Sequence, residues 1–248
     1  MNDSPKPLAL FVTIPALALI VSALIIGYAY DKAHPAWPKS MTVTGSAERL
    51  VDSDTVKWSV TLSQTVPPTS QADAGRRLDK DRETFLAFLA TAGVEKDNVS
   101  IQPMSLTDNY TTVDFKTGRT ALTSYGASQV LVIESSKVAE IGTLAQSAAV
   151  TMAERNIYLS TQGMEYYFNK LPDLKLELLT EATKNARQRG EAILAGGSGS
   201  LGPVESADTG VFQVTAVNSS DLSDYGTYDT TSPRKKVTAV VHATFDLK

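Results

Sequence analysis

The sequence contains no cysteine and only two histidines among its 248 residues. Without cysteine, the chain can form no disulfide bond, thiolate metal site, cysteine nucleophile or lipid-modified N-terminal cysteine. His34 and His242 lie far apart and match no zinc-binding spacing such as HExxH. We expect His242 to occupy a face or an edge of a strand. The sequence therefore predicts no metal-ligating residue.

An excess of positive charge is also lacking, because 23 lysines and arginines stand against 27 acidic residues, for a net charge of −4. This balance gives no general attraction to nucleic acid. The one dense basic cluster, at residues 234–236, directly follows Pro233. We expect this cluster to form a solvated turn.

Sequence patterns of known catalytic sites are missing as well. No GxSxG nucleophile elbow occurs. Close pairs of acidic residues occur, such as Asp52 with Asp54 and Asp79 with Asp81, and Asp221, Asp224 and Asp229 form a loose trio. The pairs are expected to face solvent, and the trio lacks the order of an EF-hand loop. We predict no catalytic residue and no cofactor-binding residue, and we expect that the protein is not an enzyme.

A glycine-rich stretch, ARQRGEAILAGGSGSLGPV, occupies residues 186–204. A phosphate-binding loop needs its glycines after a strand and before a helix, so that N–H groups and the positive end of the helix dipole face the phosphate. Here the glycines follow a predicted helix, and no GK[ST] is present. The stretch is interpreted as a helix cap and a turn that lead into a strand at Val204.

One long hydrophobic run is present, LALFVTIPALALIVSALIIGYAY at residues 8–30. It has no charged residue and is long enough to cross a hydrocarbon core of ~30 Å as a helix. Pro15 is expected to kink this helix without preventing the crossing. A cleaved signal peptide is the alternative, although its apolar core usually has only about 7–15 residues. Length favours an uncleaved signal-anchor that contacts the lipid bilayer.

The division of the chain follows from this run. Residues 1–7 form a short tail, residues 8–30 the transmembrane segment, residues 31–40 a proline-containing linker, and residues 41–248 a folded domain that two subdomains could share. Lysines are nearly balanced across the run, so charge does not orient it in the membrane. The brevity of the N-terminal tail favours a cytoplasmic N-terminus.

Hydrophobic periodicity beyond Met41 predicts a mixture of strands and helices. Alternation over residues 55–66 indicates a half-buried strand, and Gly93 is expected to cap the helix that precedes it. The predicted helices are 70–91, 136–150 and 174–195, and the further predicted strands are 99–107, 120–133, 156–168, 204–217 and 237–247. We predict an α+β fold with an antiparallel-rich sheet and about three soluble helices. The polar stretch 218–236 is expected to be a mobile loop or a long hairpin tip.

Five segments in this order resemble the SIMPL-domain family, which includes a bacterial periplasmic immunogenic protein. They are VTGSAE at 43–48, GVEKDNVSIQPMSL at 93–106, YGASQVLVIESSKVAEIGTLAQSAA at 125–149, EATKNARQRGEAILAGGSGSLGPV at 181–204 and VTAVVHATFDL at 237–247. The resemblance covers residues 41–248. The chain departs from the family in its uncleaved anchor and in Gly196-Gly197, where an alanine-rich end is more usual.

The resemblance implies an α+β domain of the bacterial cell envelope and a tendency to form ring- or channel-like homo-oligomers. It implies no reaction and no site residues. We therefore expect a non-enzymatic, single-pass protein of the bacterial inner membrane whose C-terminal domain lies in the periplasm, where it assembles with itself or scaffolds envelope components, with stress as one setting. No nucleic-acid partner and no small-molecule ligand is predicted. The alternative is a module that binds a small ligand or a metal, or an enzyme with an unrecognised site, near loop 218–236.

Overall fold

The computed structural model describes residues 7–33, 40–197, 199–221 and 223–248. Most of the predicted tail and most of the predicted linker lie outside these ranges. Within them the helices are α1 (Pro7–Ala33), α2 (Gln71–Thr91), α3 (Val138–Ala153) and α4 (Leu171–Leu194), with one 3₁₀ turn at Lys96–Asn98. Residues 31–33, predicted as linker, belong to α1.

Ten strands form two sheets in the described ranges. They are β1 (Ser40–Asp52), β2 (Thr55–Val66), β3 (Val99–Ile101), β4 (Ser105–Asp114), β5 (Arg119–Ser135), β6 (Tyr158–Tyr167), β7 (Leu201–Thr209), β8 (Gln213–Ala216), β9 (Thr227–Tyr228) and β10 (Arg234–Leu247). One sheet has the order β1-β10-β8-β9 with β7 also on β10, and the other has the order β3-β5-β2-β6 with β4 also on β5. The pairing of β8 with β9 is parallel, whereas β5 pairs antiparallel with each of its neighbours. The predicted antiparallel-rich α+β fold is confirmed.

The chain divides into two compact units. The first comprises Met1–Thr44, Ala186–Asp208 and His242–Lys248, and the second comprises Gly45–Asn185 and Thr209–Val241.

The main core of the second unit lies between its sheet and helices α2 and α3. Every second side chain of β2, from Val56 to Leu62, is fully buried, as the alternation in the sequence predicts. Trp58 meets Phe85 of α2 edge to face, with ring centroids 6.1 Å apart. A smaller core in the same unit joins α4 to β8 and β10 through Leu174, Leu178, Val214, Val237 and Ala239.

Helix α1 extends the predicted hydrophobic run by a few residues at its end. Residues Ile14–Ala33 have a mean hydropathy of 1.8, and none of the most apolar stretch is buried. The helix is long and apolar enough to cross a membrane, and an N-terminal signal sequence meets the same criteria. The structure thus supports an apolar N-terminal helix as a candidate span.

Several predicted boundaries are corrected. The strand predicted at 99–107 is two strands, because Pro103 has no N–H to donate to a ladder. The strand predicted at 204–217 is also two strands, and its first part begins at Leu201. Helix α4 begins at Leu171, with Pro172 in its first turn, where a helix tolerates proline. Gly93 has a φ of 77° and donates its N–H to Ala90, which confirms the predicted cap.

The glycine-rich stretch has a structural explanation in the first unit. α4 ends at Leu194, a turn covers residues 195–197, and β7 begins at Leu201. Both arginines of the basic run bind backbone oxygens: Arg187 Nη2 donates to Gly202 O at 3.0 Å, and Arg189 Nη1 donates to Thr44 O at 3.1 Å. Arg187 also lies over the ring of Phe245, 4.9 Å from its centroid. These arginines hold strands to the helix.

Gly202 stands where β7 runs very close to β10. A Cβ built on it would lie 2.8 Å from Asp246 Cβ and 3.2 Å from Asp246 O. Gly202→Ala is therefore expected to lower the free energy of unfolding by roughly 1–3 kcal/mol through overpacking. Gly196→Ala is the matched control, because the nearest atom to its new Cβ is Ile193 O at 3.6 Å. Urea unfolding of both variants checks the prediction, which fails if the two lose equal stability.

Candidate functional site

A cavity of about 350 Å³ lies under the loop 218–236 of the second unit. Strand β8, strand β9 and the loop provide its walls, which consist of Val214, Thr215, Ala216, Ser219, Asp221, Thr227, Tyr228, Asp229 and Thr231. Its size falls at the lower end of the range for small-molecule pockets, ~300–1,000 Å³. Hydroxyl and carboxylate groups dominate the part of the wall that the loop supplies.

Residues 227–230 of the stretch 218–236, which the sequence predicted to be a mobile loop or a long hairpin tip, form backbone hydrogen bonds to neighbouring strands. Within it, β9 pairs with β8, so that Thr227 lies beside Gln213 and Tyr228 beside Val214. Asp229 N donates to Val214 O at 2.8 Å. On the other side, Tyr166 N of β6 donates to Thr230 O at 2.7 Å. The loop is therefore bonded to strands on both sides.

Gln213 is buried and binds the loop with both ends of its amide. Its Nε2 donates to Ser223 O at 2.6 Å, and its Oε1 accepts from Thr227 Oγ1 at 2.6 Å. A buried amide that is fully bonded at both ends specifies one position of the loop, because any other position leaves polar atoms unsatisfied.

Lys235 contradicts the prediction of a solvated basic turn at 234–236. Strand β10 begins at Arg234, and the side chain of Lys235 is 0% exposed. Its Nζ donates to Asp229 O at 2.5 Å and to Ser232 O at 2.7 Å, and it lies 5.9 Å from the centre of the Tyr228 ring. Burial lowers the pKa of Lys235, and the charge of Asp229 offsets part of that effect. The ammonium group thus clamps the C-terminal half of the loop.

Asp229 sits between the loop and this ammonium group. Its Oδ1 accepts from Thr231 N at 2.8 Å and from Thr231 Oγ1 at 2.7 Å. Its Oδ2 is buried without a hydrogen bond, 3.9 Å from Lys235 Nζ. Burial by itself raises the pKa of Asp229, but the hydrogen bonds from Thr231, together with the charge of Lys235, leave that pKa below its usual value. The wall of the cavity therefore carries a carboxylate ion.

Two stacked tyrosines form an aromatic wall beside the cavity. The rings of Tyr167 and Tyr228 lie 6.4 Å apart at an angle of 27°. The hydroxyl oxygen of Tyr228 accepts a hydrogen bond from Phe168 N at 3.2 Å, which ties β9 to the end of β6. Burial raises the pKa of Tyr167, as does its hydrogen bond to Glu165. Tyr228 itself lines the cavity, and Tyr167 packs against it.

Of the acidic trio, Asp221 and Asp229 both line the cavity, whereas Asp224 does not. The two acidic pairs have separate partners: Asp52 pairs with Arg234, Asp54 accepts from Asn169 N, Asp79 pairs with Arg82, and Asp81 accepts from Gln64. His242 lies exposed on β10, as expected, with Nδ1 2.9 Å from Thr44 Oγ1. In the described ranges, no three histidine, aspartate or glutamate side chains group as they would around a metal ion.

Gln213 and Lys235 were not predicted from the sequence to take part in the site. Lys235 lies two residues before Val237 and four before Ala239, so it shares the buried face of β10 with them. Period-two alternation extended backwards from Val237 would have placed it there. The proline before the cluster favoured a turn instead.

Comparison with known proteins gives one family. The model of the SIMPL family, described as a protein of unknown function (DUF541), matches residues 41–245. No curated protein shows significant similarity to the chain.

Removing the clamp tests its importance for the fold. Lys235→Met should lower the free energy of unfolding by roughly 2–4 kcal/mol, because the carbonyl groups of Asp229 and Ser232 lose a charged donor and stay buried. Lys236→Met, the next residue of β10, is the control and should change little. Urea unfolding measures both. Equal losses in the two variants would contradict the clamp.

The carboxylate of Asp229 should make stability depend on acid pH. Since its pKa is lower in the folded chain, its stabilising effect is present above the ordinary aspartate pKa and is lost as pH falls through the folded value. Asp229→Asn should therefore be less stable than the unchanged chain at about pH 7, and the difference should shrink by about pH 3. Thr231→Val, which removes one hydrogen bond to the carboxylate, should behave in between. A pH-independent difference in urea unfolding would argue against this role.

Proposed function

The chain belongs to the SIMPL family, whose function is unknown, and from this membership and helix α1 we propose that it is a non-enzymatic, membrane-tethered domain of the bacterial cell envelope that assembles with copies of itself. The proposal places one helix in the inner membrane and the domain at residues 41–248 in the periplasm. There the assembly forms a ring- or channel-like homo-oligomer or scaffolds other envelope components.

The observation that carries the tether is the exposure of α1. Its most apolar stretch has a mean hydropathy of 1.8 and is 0% buried by the rest of the chain. An apolar surface of this length has to be shielded from water, and a helix of 20 residues matches the thickness of the hydrocarbon core of a bilayer. Tyr28 and Lys32 stand near its C-terminal end, with Lys32 Nζ 5.5 Å from the Tyr28 ring centre. Aromatic and basic residues at that level suit the membrane interface.

A charge placed in the middle of α1 tests the tether. Ile20→Lys should reduce the fraction of protein that remains in the membrane after an alkaline carbonate wash, because a lysine at the centre of a span costs roughly 2.5–3.5 kcal/mol. Tyr28→Lys, near the end of the helix, is the control and should be retained. The intact mass of the purified protein distinguishes an anchor from a cleaved signal peptide. A mass lacking the N-terminal run would refute the tether, as would full retention of Ile20→Lys.

Self-assembly is supported by the family resemblance and by exposed apolar residues on the second unit, among them Tyr110, Val113 and Phe115. Mass photometry of the detergent-solubilised chain should show species heavier than one copy at micromolar concentration. A strictly monomeric population would refute self-assembly.

A binding role for the cavity under loop 218–236 is the second candidate. It is favoured by the carboxylates of Asp221 and Asp229, the neighbouring hydroxyls and the tyrosine wall. These groups suit a small cationic or hydroxylated ligand. Calorimetric titration with Ca²⁺, Mg²⁺ and simple sugars tests this candidate. A binding heat that the substitution Asp229→Asn abolishes supports this candidate. The absence of any binding heat with all of these ligands counts against it.

A further inference from the structure

The end of the β4–β5 hairpin projects from its sheet as a two-stranded arm, residues 110–122. In the described sheets β4 pairs with β5 alone, and the register runs from Tyr110↔Leu122 to Asp114↔Arg119. The side chains on β4 are largely exposed. An isolated two-stranded hairpin is only marginally stable in water. An arm of this kind is typical of a segment that gains stability from a partner.

The tip of the arm presents one large apolar side chain. Phe115 is 90% exposed and is followed by a turn in which Gly118 has a φ of 71°. Asp114 holds this turn, because its carboxylate accepts from Lys116 N at 2.8 Å and from Thr117 Oγ1 at 2.7 Å. The ring of Phe115 is thus carried on a fixed turn, which reduces the entropy lost when it docks.

An apolar socket of matching size lies elsewhere on the same unit. Its volume is about 260 Å³, and its lining consists of Glu83, Leu86, Leu89, Ala90, Val94, Lys96 and Val99. This volume is below the usual range of small-molecule pockets, ~300–1,000 Å³, and suits a single large side chain. The socket lies where the end of α2 meets the start of β3.

The arm cannot fill the socket of its own molecule. β3 pairs with the far end of β5, where Val99 lies opposite Ile133, whereas the tip of the arm adjoins Arg119 at the other end. A strand rises about 3.3 Å per residue, so the two ends of β5 are separated by roughly 45 Å. Any copy of Phe115 in the socket must come from another molecule.

We propose that Phe115 of one copy inserts into the α2–β3 socket of the next copy and so forms a head-to-tail contact. This interface rests on the proposed self-assembly and specifies how it is built. The lining of the socket includes Glu83 and Lys96, and the tip carries Asp114, Lys116 and Arg119, so both surfaces present both signs of charge around the apolar contact. A contact between two different surfaces leads to a ring when its rotation closes and to an open chain when it does not.

Two substitutions test the contact from its two sides. Phe115→Ser removes the inserted ring, and Ala90→Trp fills the socket at an exposed position of α2. Each substitution should raise, by roughly 30-fold, the protein concentration below which the assembly of the detergent-solubilised full chain dissociates. This change is expected for the loss of a central aromatic anchor. Tyr225→Ser, at a residue 97% exposed, and Ala72→Trp, on the opposite end of α2, are matched controls that should leave assembly unchanged. Mass photometry over a dilution series gives all five curves.

Cross-linking gives an independent test because the chain has no cysteine. A chain that keeps Phe115 and carries both Lys116→Cys, next to the inserted ring, and Ala90→Cys should form a ladder of covalent dimers, trimers and larger species with a short bifunctional maleimide. The ladder is specific for contact between copies, since the arm and the socket lie at opposite ends of β5, which are roughly 45 Å apart. Ala72→Cys in place of Ala90→Cys should abolish the ladder.

The outcomes separate this interface from self-assembly itself. If the unchanged chain is monomeric, self-assembly fails and the interface fails with it. If the unchanged chain assembles, but Phe115→Ser and Ala90→Trp assemble equally well and no ladder forms, only the interface is wrong. Weakened assembly in both variants together with the ladder supports it.

Discussion

The antiparallel ladder between β2 and β5 is the constraint on which the second unit depends. Its register runs without a shift from Val56↔Ser135 to Val66↔Tyr125, so the alternating side chains of both strands stay on one buried face. That face receives α2 and α3 and forms the main core. Because β5 continues beyond the ladder to Arg119, the same strand also supports the arm, and its other end carries β3 beside the socket. A slip of one residue would expose the core and displace both proposed contact surfaces.

A second constraint is polar, and it fixes the loop over the cavity. Gln213 and Lys235 extend from neighbouring strands and bind loop oxygens from below. Burying a lysine is costly, and here hydrogen bonds to two carbonyl oxygens and the nearby carboxylate of Asp229 offset the cost. Removing any one of these partners leaves the others unsatisfied, so the loop has one favoured position. The polar segment 227–232 is thus held by hydrogen bonds to its neighbouring strands.

The sequence predicted those features that local patterns determine. The alternation of apolar and polar residues predicted β2, and the 3.6-residue period of apolar side chains predicted α2 and α3, because each of these patterns reflects a single buried face. The uninterrupted apolar run predicted α1. The order of segments identified the family. The clamp was missed because Pro233 and three basic residues have the local signature of a turn, whereas the burial of Lys235 depends on carbonyl groups from a segment that folds back over it. The arm and the socket depend on long-range register, which no local period encodes.

The proposed tether and the proposed head-to-tail contact restrict each other. A head-to-tail contact repeated with a rise along an axis perpendicular to the membrane would lift successive copies away from the bilayer, yet each copy carries its own α1. About such an axis, only an assembly without rise keeps every tether in one membrane, and it closes into a ring when its rotation divides a full turn. Confinement to a membrane also raises the local concentration of copies, so a contact centred on one phenyl ring is sufficient there even when it is weak in solution. Two features that the sequence places far apart, an apolar N-terminus and an exposed Phe115, therefore favour the same closed arrangement.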